Sequence, residues 1–148
     1  MIDFQKLTPA QREQYNEILF SCPSRGCEYS FANLSLWGLQ KVAFLHGCVA
    51  FFSHFYGRSV YPFPIGPGNT KVALDAIIAD ARERGIVCRL SGLNATRCML
   101  LEELYPGRFR FHADRDSYDY IYSIDDLADL KGRKFQKKRP HLHRFEEN

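Results

Sequence analysis

The chain has 148 residues, of which 45% are hydrophobic and 14% aromatic, and its formal net charge is +3. This length predicts one domain, and the many aromatic residues exclude an intrinsically disordered body. No apolar run approaches the roughly 20 residues that span a bilayer, and the first residues lack the pattern of a secretion signal. Five scattered cysteines favour a reducing cytosol, so we expect a cytoplasmic protein without a transmembrane segment.

The first elements in chain order are a short strand over residues 2–7 and two helices. Thr8, Pro9 and Gln11 predict the start of the first helix, because Thr8 can cap it, Pro9 suits its first turn and Gln11 can close a capping box. The apolar stripe of this helix consists of Tyr15, Ile18 and Leu19. Residues 29–36 predict the second helix.

A three-strand meander follows. Its strands are expected at residues 42–45, 49–55 and 60–65, with turns at residues 46–47 and 56–58. Pro62 and Pro64 cannot donate to a β-ladder, so the third strand should be irregular or unpaired on one side.

Short helices and strands alternate in the second half of the chain. A glycine-containing loop over residues 66–70 leads into a helix over residues 71–84, which Gly85 ends. The remaining elements are a strand at residues 86–90, a helix at 95–105 capped by Asn94, a hairpin of residues 109–112 and 118–122, and a helical tail that starts at Ser123.

This order resembles the GNAT acyltransferase fold. The predicted fold class is therefore α/β (α+β), with a mixed, mostly antiparallel sheet flanked by helices and followed by a basic helical tail. We place the GNAT-like domain in residues 1–123 and the tail in residues 124–148.

The tail holds the cationic character of the chain. Seven Lys and Arg residues lie between positions 131 and 144 with no acidic residue among them, and subtracting these seven charges from +3 leaves −4 for the rest. Such a block usually meets an anionic partner, here tRNA or an anionic lipid. The candidate partner-binding residues are Lys134, Lys137, Lys138, Arg139 and Arg144. The leading interpretation of the block is nevertheless a solvated helix or linker whose cations keep it soluble.

Residues 106–109, 119–123, 126–134 and 137–145 carry a family resemblance, and the last segment, Lys137-Lys138-Arg139-Pro140-His141-Leu142-His143-Arg144-Phe145, is the most specific. They resemble a bacterial family related to the C-terminal domain of phosphatidylglycerol lysyltransferase. Members have two GNAT-like halves joined by the basic segment, and this chain resembles the first half. The segment departs from the family pattern at Pro140 and His143, where Asn is usual, and Pro140 should break any helix passing through it.

The resemblance implies transfer of an acyl or aminoacyl group, with acyl-CoA or aminoacyl-tRNA as the donor substrate, and no cofactor is assigned. Because the family's active site is expected to draw on the second half, no catalytic residue is assigned. The alternative function is a non-catalytic half-domain that binds a partner domain, RNA or an anionic lipid. A second GNAT-like half or another copy of the chain is the expected protein partner.

The loop over residues 66–70 occupies the position where GNAT enzymes bind the pyrophosphate of acyl-CoA. Glycines let a backbone approach phosphate, and the following helix N-terminus presents N–H groups. The candidate donor-binding residues are Gly66, Gly68, Asn69 and Thr70, although Phe63 stands where the usual motif has Gln or Arg. The structural alternative is a tight turn in which Asn69 caps the helix.

Two weaker patterns remain. Tyr118, Tyr120 and Tyr122 share one face of a predicted strand, and serve either as an acid for a leaving thiolate or as a packed sheet face. Cys22 and Cys27 are closely spaced, but no second such cysteine pair exists, so we expect no metal site.

Overall fold

The structure is a computed structural model that describes residues 1–23, 26–37, 40–55, 57–118 and 122–147. It divides into two compact units, Met1–Arg110 (unit 1) and Phe111–Asn148 (unit 2). In unit 1 the elements are α1 Arg12–Phe20, α2 Phe31–Trp37, β1 Gln40–Leu45, β2 Cys48–Phe55, β3 Arg58–Pro62, α3 Thr70–Glu83, β4 Leu90–Ser91 and α4 Ala95–Leu104. In unit 2 they are α5 Ile124–Asp129 and α6 Arg139–Glu146, and 3-10 turns occur in both units.

The sheet has the strand order β1-β2-β3-β4. The β1–β2 and β2–β3 pairs are antiparallel and the β3–β4 pair is parallel, so the predicted mixed, mostly antiparallel sheet is confirmed. The irregular third strand is also confirmed, because β3 ends at Pro62 and Ile65 pairs again beyond it, in an isolated bridge with Val49.

Helices cover both faces of the sheet because the side chains of β2 alternate between them. Val49 and Phe51 pack with Tyr15 of α1 in one hydrophobic cluster, whereas Ala50 packs with Ile77 of α3 in another. A third cluster joins α3 and α4 and consists of Phe63, Leu74, Leu101 and Tyr105. All three clusters lie within unit 1.

The helix starts follow the predicted capping residues. Gln11 Oε1 accepts from Thr8 N at 3.1 Å, Asn69 Oδ1 from Val72 N at 3.2 Å, Asn94 Oδ1 from Arg97 N at 2.9 Å, and Ser123 Oγ from Asp126 N at 3.0 Å. These side-chain oxygens satisfy N–H groups at the helix starts that have no acceptor inside the helices.

The strand predicted at residues 2–7 is wrong, because this segment pairs with β1 only through a bridge between Gln5 and Val42. The N–H of Ile2 instead donates to Asp80 at 2.6 Å, which draws the segment toward α3. The strand predicted at residues 86–90 is likewise reduced to Leu90–Ser91.

The hairpin predicted at residues 109–112 and 118–122 is also wrong in its first arm, where the structure has no strand. Phe109 packs edge-on against Tyr105 at 5.7 Å, and Asp114 caps a 3-10 turn at Arg115–Ser117. Tyr118 and Tyr122 are exposed, while residues 119–121, including Tyr120, lie outside the described part of the chain.

The tail is two short helices rather than one. Leu130 and Gly132 both have positive φ, 46° and 85°, and end the helical path after α5. Pro140 lies in the first turn of α6, where its missing N–H removes no helical hydrogen bond. Within the described residues, no helix combines the length and the hydrophobicity that crossing a bilayer requires.

Candidate functional site

The parallel strands β3 and β4 end side by side. Phe63 N donates to Ser91 O at 2.9 Å, and beyond this bond Gly92 turns the β4 segment away through a φ of 68°. We call this region, residues 63–70 and 91–97, the carboxyl edge. Ligands of sheets with parallel strands bind at such carboxyl ends, so this edge is the first place to look for a site.

Arg97 of α4 joins the parts of the carboxyl edge. Its Nη1 donates to Gly92 O at 2.6 Å and to the Tyr29 hydroxyl at 3.2 Å. The guanidinium also lies over the Phe63 ring, 4.8 Å from its centroid, and over the Tyr29 ring at 5.6 Å. An arginine side chain is always positively charged, and contact with two aromatic rings also fixes its position.

Tyr29 brings a hydroxyl to the same place. Its side chain is buried, and its hydroxyl donates to Phe63 O at 3.4 Å. Burial raises the pKa of Tyr29 and the nearby Arg97 opposes the rise only in part, so the hydroxyl stays neutral near pH 7. A Cβ on Gly92 would lie 2.8 Å from this hydroxyl, so both the positive φ and the space require glycine there.

The sequence patterns missed Tyr29, Gly92 and Arg97. They belong to three segments that folding brings together, and Tyr29 and Arg97 are 68 residues apart. The sequence contains only a weak indication of this site, which is a glycine shortly before a capped helix whose third residue is arginine.

The glycine loop lies against the turn between β1 and β2. A Cβ on Gly66 would lie 2.5 Å from Gly47 O, and a Cβ on Gly68 would overlap His46 O. Gly68 N donates to Gly47 O at 3.2 Å. Close backbone packing therefore explains both glycines, and the Gly68 N–H already has an acceptor.

Asn69 and Thr70 stand at the start of α3. Asn69 caps the helix, as the structural alternative expected, and Thr70 is its first residue. The first N–H groups of a helix have no intrahelical acceptor, so this terminus keeps the partial positive charge that favours an anion. In the same first turn, Lys71 forms an ion pair with Asp75 at 2.6 Å, and hydrogen bonds from Lys71 and Tyr105 hold the pKa of Asp75 below its ordinary value.

Lys134, Lys138 and Arg139 are candidate cations of the tail with contacts inside unit 2. Lys134 Nζ pairs with Asp126 at 2.7 Å, and the Lys138 ammonium lies 5.2 Å from the Tyr122 ring centroid. Arg139 Nη1 donates to the backbone carbonyls of Leu130, at 2.8 Å, and Gly132, at 3.1 Å. Lys137 and Arg144 are exposed.

Acidic residues balance the basic ones in unit 2. Residues 111–148 contain eight Lys or Arg and eight Asp or Glu, so their formal charges cancel and the +3 of the chain belongs to residues 1–110. Unit 2 as a whole is therefore of mixed charge, although residues 131–144 within it include no acidic residue.

The described residues contain no group of three or more His, Cys, Asp or Glu side chains placed to hold a metal ion. All five cysteines are free thiols. Cys48 is buried, and this burial raises the pKa of its thiol, so it stays protonated as a small apolar core residue.

Comparison with known proteins gives the chain a family. Residues 20–148 match the family described as phosphatidylglycerol lysyltransferase, C-terminal. The chain is also similar to the crystal structure of a conserved protein of unknown function from Bacteroides thetaiotaomicron, with 35% sequence identity and a TM-score of 0.87 over 99% of this chain and 51% of that chain. It thus spans about half the length of that relative. None of the curated proteins matches it. The chain belongs to the phosphatidylglycerol lysyltransferase C-terminal family and has its GNAT-like α+β fold.

Proposed function

We propose that the chain is a GNAT-like half-domain of an acyl- or aminoacyltransferase that binds an activated donor, aminoacyl-tRNA or acyl-CoA, at its carboxyl edge. Membership of a family described by lysyl transfer supports the reaction class. The observation that carries the site is the parallel β3–β4 pair, whose ends lie beside Arg97 and the buried Tyr29 hydroxyl.

In such a transfer, an amine or hydroxyl attacks the carbonyl of an ester or thioester, and negative charge develops on the carbonyl oxygen. The protein lowers the barrier by orienting the donor and by placing hydrogen-bond donors and positive charge near that oxygen. The guanidinium of Arg97 has the chemistry for this role, and the Tyr29 hydroxyl, which donates its proton to Phe63 O, holds Arg97 in position by accepting from its Nη1. Asn69 and Thr70 would meet the donor's phosphates through backbone N–H groups, with Gly66 and Gly68 shaping the loop.

The test is ligand-induced stabilisation of the folded chain. A ligand at one hundred times its Kd raises the free energy of unfolding by about 2.7 kcal/mol, so acyl-CoA or aminoacyl-tRNA should raise the melting temperature. Arg97→Ala should remove that rise, whereas Arg89→Ala, which deletes an exposed cation nearby in sequence, should keep it. No stabilisation of the unaltered chain by either donor would exclude the proposal.

A second candidate function is a non-catalytic half-domain that binds a partner. Phe20, Leu36 and Trp37 are 79%, 79% and 76% exposed, which is unusual for side chains of this size unless they meet another surface. The chain also spans only 51% of the related solved chain. A second GNAT-like half, or a second copy of this chain, is the partner this reading favours.

The two candidates differ in solution behaviour. The binding half-domain should self-associate in size-exclusion chromatography with light scattering, and Trp37→Ser should weaken that association. RNA or an anionic lipid as the partner would instead give binding that falls with salt and depends on the basic residues of the tail, which are Lys134, Lys137, Lys138, Arg139 and Arg144. If the chain is a monomer at all concentrations and binds neither RNA nor anionic vesicles, the binding half-domain is excluded and only the transferase proposal remains.

A further inference from the structure

Two buried polar atoms lack the hydrogen bonds that burial normally demands. They are Oε1 of Gln40 and Oγ of Ser53, and within the described part of the chain they are the buried side-chain nitrogen or oxygen atoms without a partner. Ser53 is only 2% exposed. Most buried polar groups in folded proteins have partners, so each such exception requires an explanation.

The two atoms belong to one place on the sheet. Gln40 begins β1 and pairs directly with Ser53 of β2 in the antiparallel register. The Cβ atoms of directly opposite residues lie about 5 Å apart, so one small group can reach both side chains. Two residues further along each strand, Val42 and Phe51 share this face and pack in the cluster that also contains residues of α1 and α2.

The position is close to the surface without being open to it. Gln40 as a residue is half-buried, although its Oε1 atom is shielded from solvent. Ser53 lies directly opposite Gln40 on the neighbouring strand. A ligand group can therefore reach the pair only by displacing the atoms that shield Gln40 Oε1 and Ser53 Oγ.

The chemistry of the pair selects the group. An amide oxygen only accepts hydrogen bonds, whereas a serine hydroxyl both donates and accepts. A hydroxyl on the ligand can donate to Gln40 Oε1 and accept from Ser53 Oγ, so that both atoms gain a hydrogen-bond partner. A carboxylate cannot donate to Gln40, and an ammonium cannot accept from Ser53 and carries a charge that burial penalises.

We propose that Gln40 and Ser53 form a binding site for an alcohol hydroxyl of a polyol ligand, such as a ribose or a glycerol moiety. The site lies on the sheet face covered by α1 and α2 and is assigned without using the glycine loop. It does not depend on acyl transfer, because a binding half-domain would have the same unsatisfied pair.

The test is titration of the full chain with glycerol, ribose, ethylamine and acetate, followed through the side-chain amide signal of Gln40 in ¹H–¹⁵N NMR spectra. Glycerol or ribose should shift this signal saturably, and ethylamine and acetate should not. The tighter of the two alcohols identifies the source of the hydroxyl. Ser53→Ala should weaken alcohol binding by about fivefold, the usual effect of one neutral hydrogen bond.

Ser59→Ala is the matched control. Ser59 is also buried on a neighbouring strand, but its Oγ lies 3.0 Å from His54 Nδ1 and is satisfied. We expect Ser59→Ala to lower the melting temperature and keep alcohol binding, and Ser53→Ala to leave the melting temperature unchanged or higher. Equal destabilisation by both variants, equal response to all four probes, or a tightly held water at Gln40 that no alcohol displaces would overturn the proposal.

Discussion

The carboxylate of Asp80 joins the start of the chain to helix α3. It accepts from Ile2 N at 2.6 Å, from the Tyr61 hydroxyl at 2.8 Å and from Arg84 Nε at 2.7 Å, and its side chain is fully buried. Arg84 Nη2 also donates to Ile2 O at 2.8 Å and its guanidinium lies over the Phe4 ring. Burial tends to raise the pKa of Asp80, but the three donors outweigh it and hold the pKa below its ordinary value.

Asp80→Asn should therefore lower the free energy of unfolding by about 3 kcal/mol, since removing one partner of a buried ion pair leaves the other uncompensated. Urea denaturation measures the change. Asp75→Asn is the control, because the Asp75–Lys71 pair is about half exposed and should contribute less than about 1 kcal/mol. Equal losses for the two variants would show that burial of Asp80 is not what makes its ion pair strong.

The same carboxylate predicts a pH dependence. Because the pKa of Asp80 is lowered in the folded state, its contribution is present above the unfolded pKa of about 3.9 and is lost as pH falls through the lower folded value. The stability difference between the unaltered chain and Asp80→Asn should thus be large at neutral pH and shrink below about pH 4. A difference that stays constant in urea titrations across this range would contradict the expected protonation.

At the scale of elements, the sequence predicted helix starts and ends correctly where neighbouring residues determine them. Asn69 and Asn94 mark helix starts because their side chains can accept from backbone N–H groups three residues on. Gly85 marks a helix end because it takes a φ of 67°. Such features depend on neighbours in sequence, so the sequence alone is sufficient to locate them.

Elements that depend on distant partners were harder to predict. A strand over residues 109–112 forms only if another strand pairs with it, and Phe109 instead packs against the Tyr105 ring. The carboxyl edge likewise required Tyr29 and Arg97 to meet across 68 residues. Tertiary packing, which no single window of sequence contains, decided these cases.

The contact between the glycine loop and the β1–β2 turn predicts that two glycine-to-alanine variants lose different amounts of stability. Gly68→Ala should lower the free energy of unfolding by about 3 kcal/mol, because its new Cβ would overlap the His46 carbonyl. Gly57→Ala meets open space and should cost only about 1 kcal/mol for its positive φ. Thermal unfolding of both variants measures this, and a tolerated Gly68→Ala would mean that the loop can move away from the turn.

At the scale of the molecule, different interactions stabilise the interior of each unit. Unit 1 contains all three hydrophobic clusters. In unit 2, Phe135 is buried, the Tyr122 ring lies 6.1 Å from it, and cationic side chains pack on both rings. The basic residues of the tail are thus partly structural, which its charge pattern alone did not indicate.

The chain shortened to residues 1–110 should therefore fold alone. We expect cooperative thermal unfolding by circular dichroism and a stability close to that of the full chain, because no cluster loses a member. Its net charge should remain +3, so elution from a cation exchanger should change little. Loss of cooperative unfolding in the shortened chain would show that unit 1 requires residues 111–148.

The contact between Gly47, Gly66 and Gly68 also restricts how the sequence can change in length. Both backbones meet with no room for even a methyl group, so an insertion in one turn displaces the segment that touches it. Surface loops usually accept insertions readily, yet here neither the hairpin turn nor the loop before α3 can lengthen without displacing the other. Relatives should therefore vary in the number of residues elsewhere, while keeping both of these connections at one fixed size.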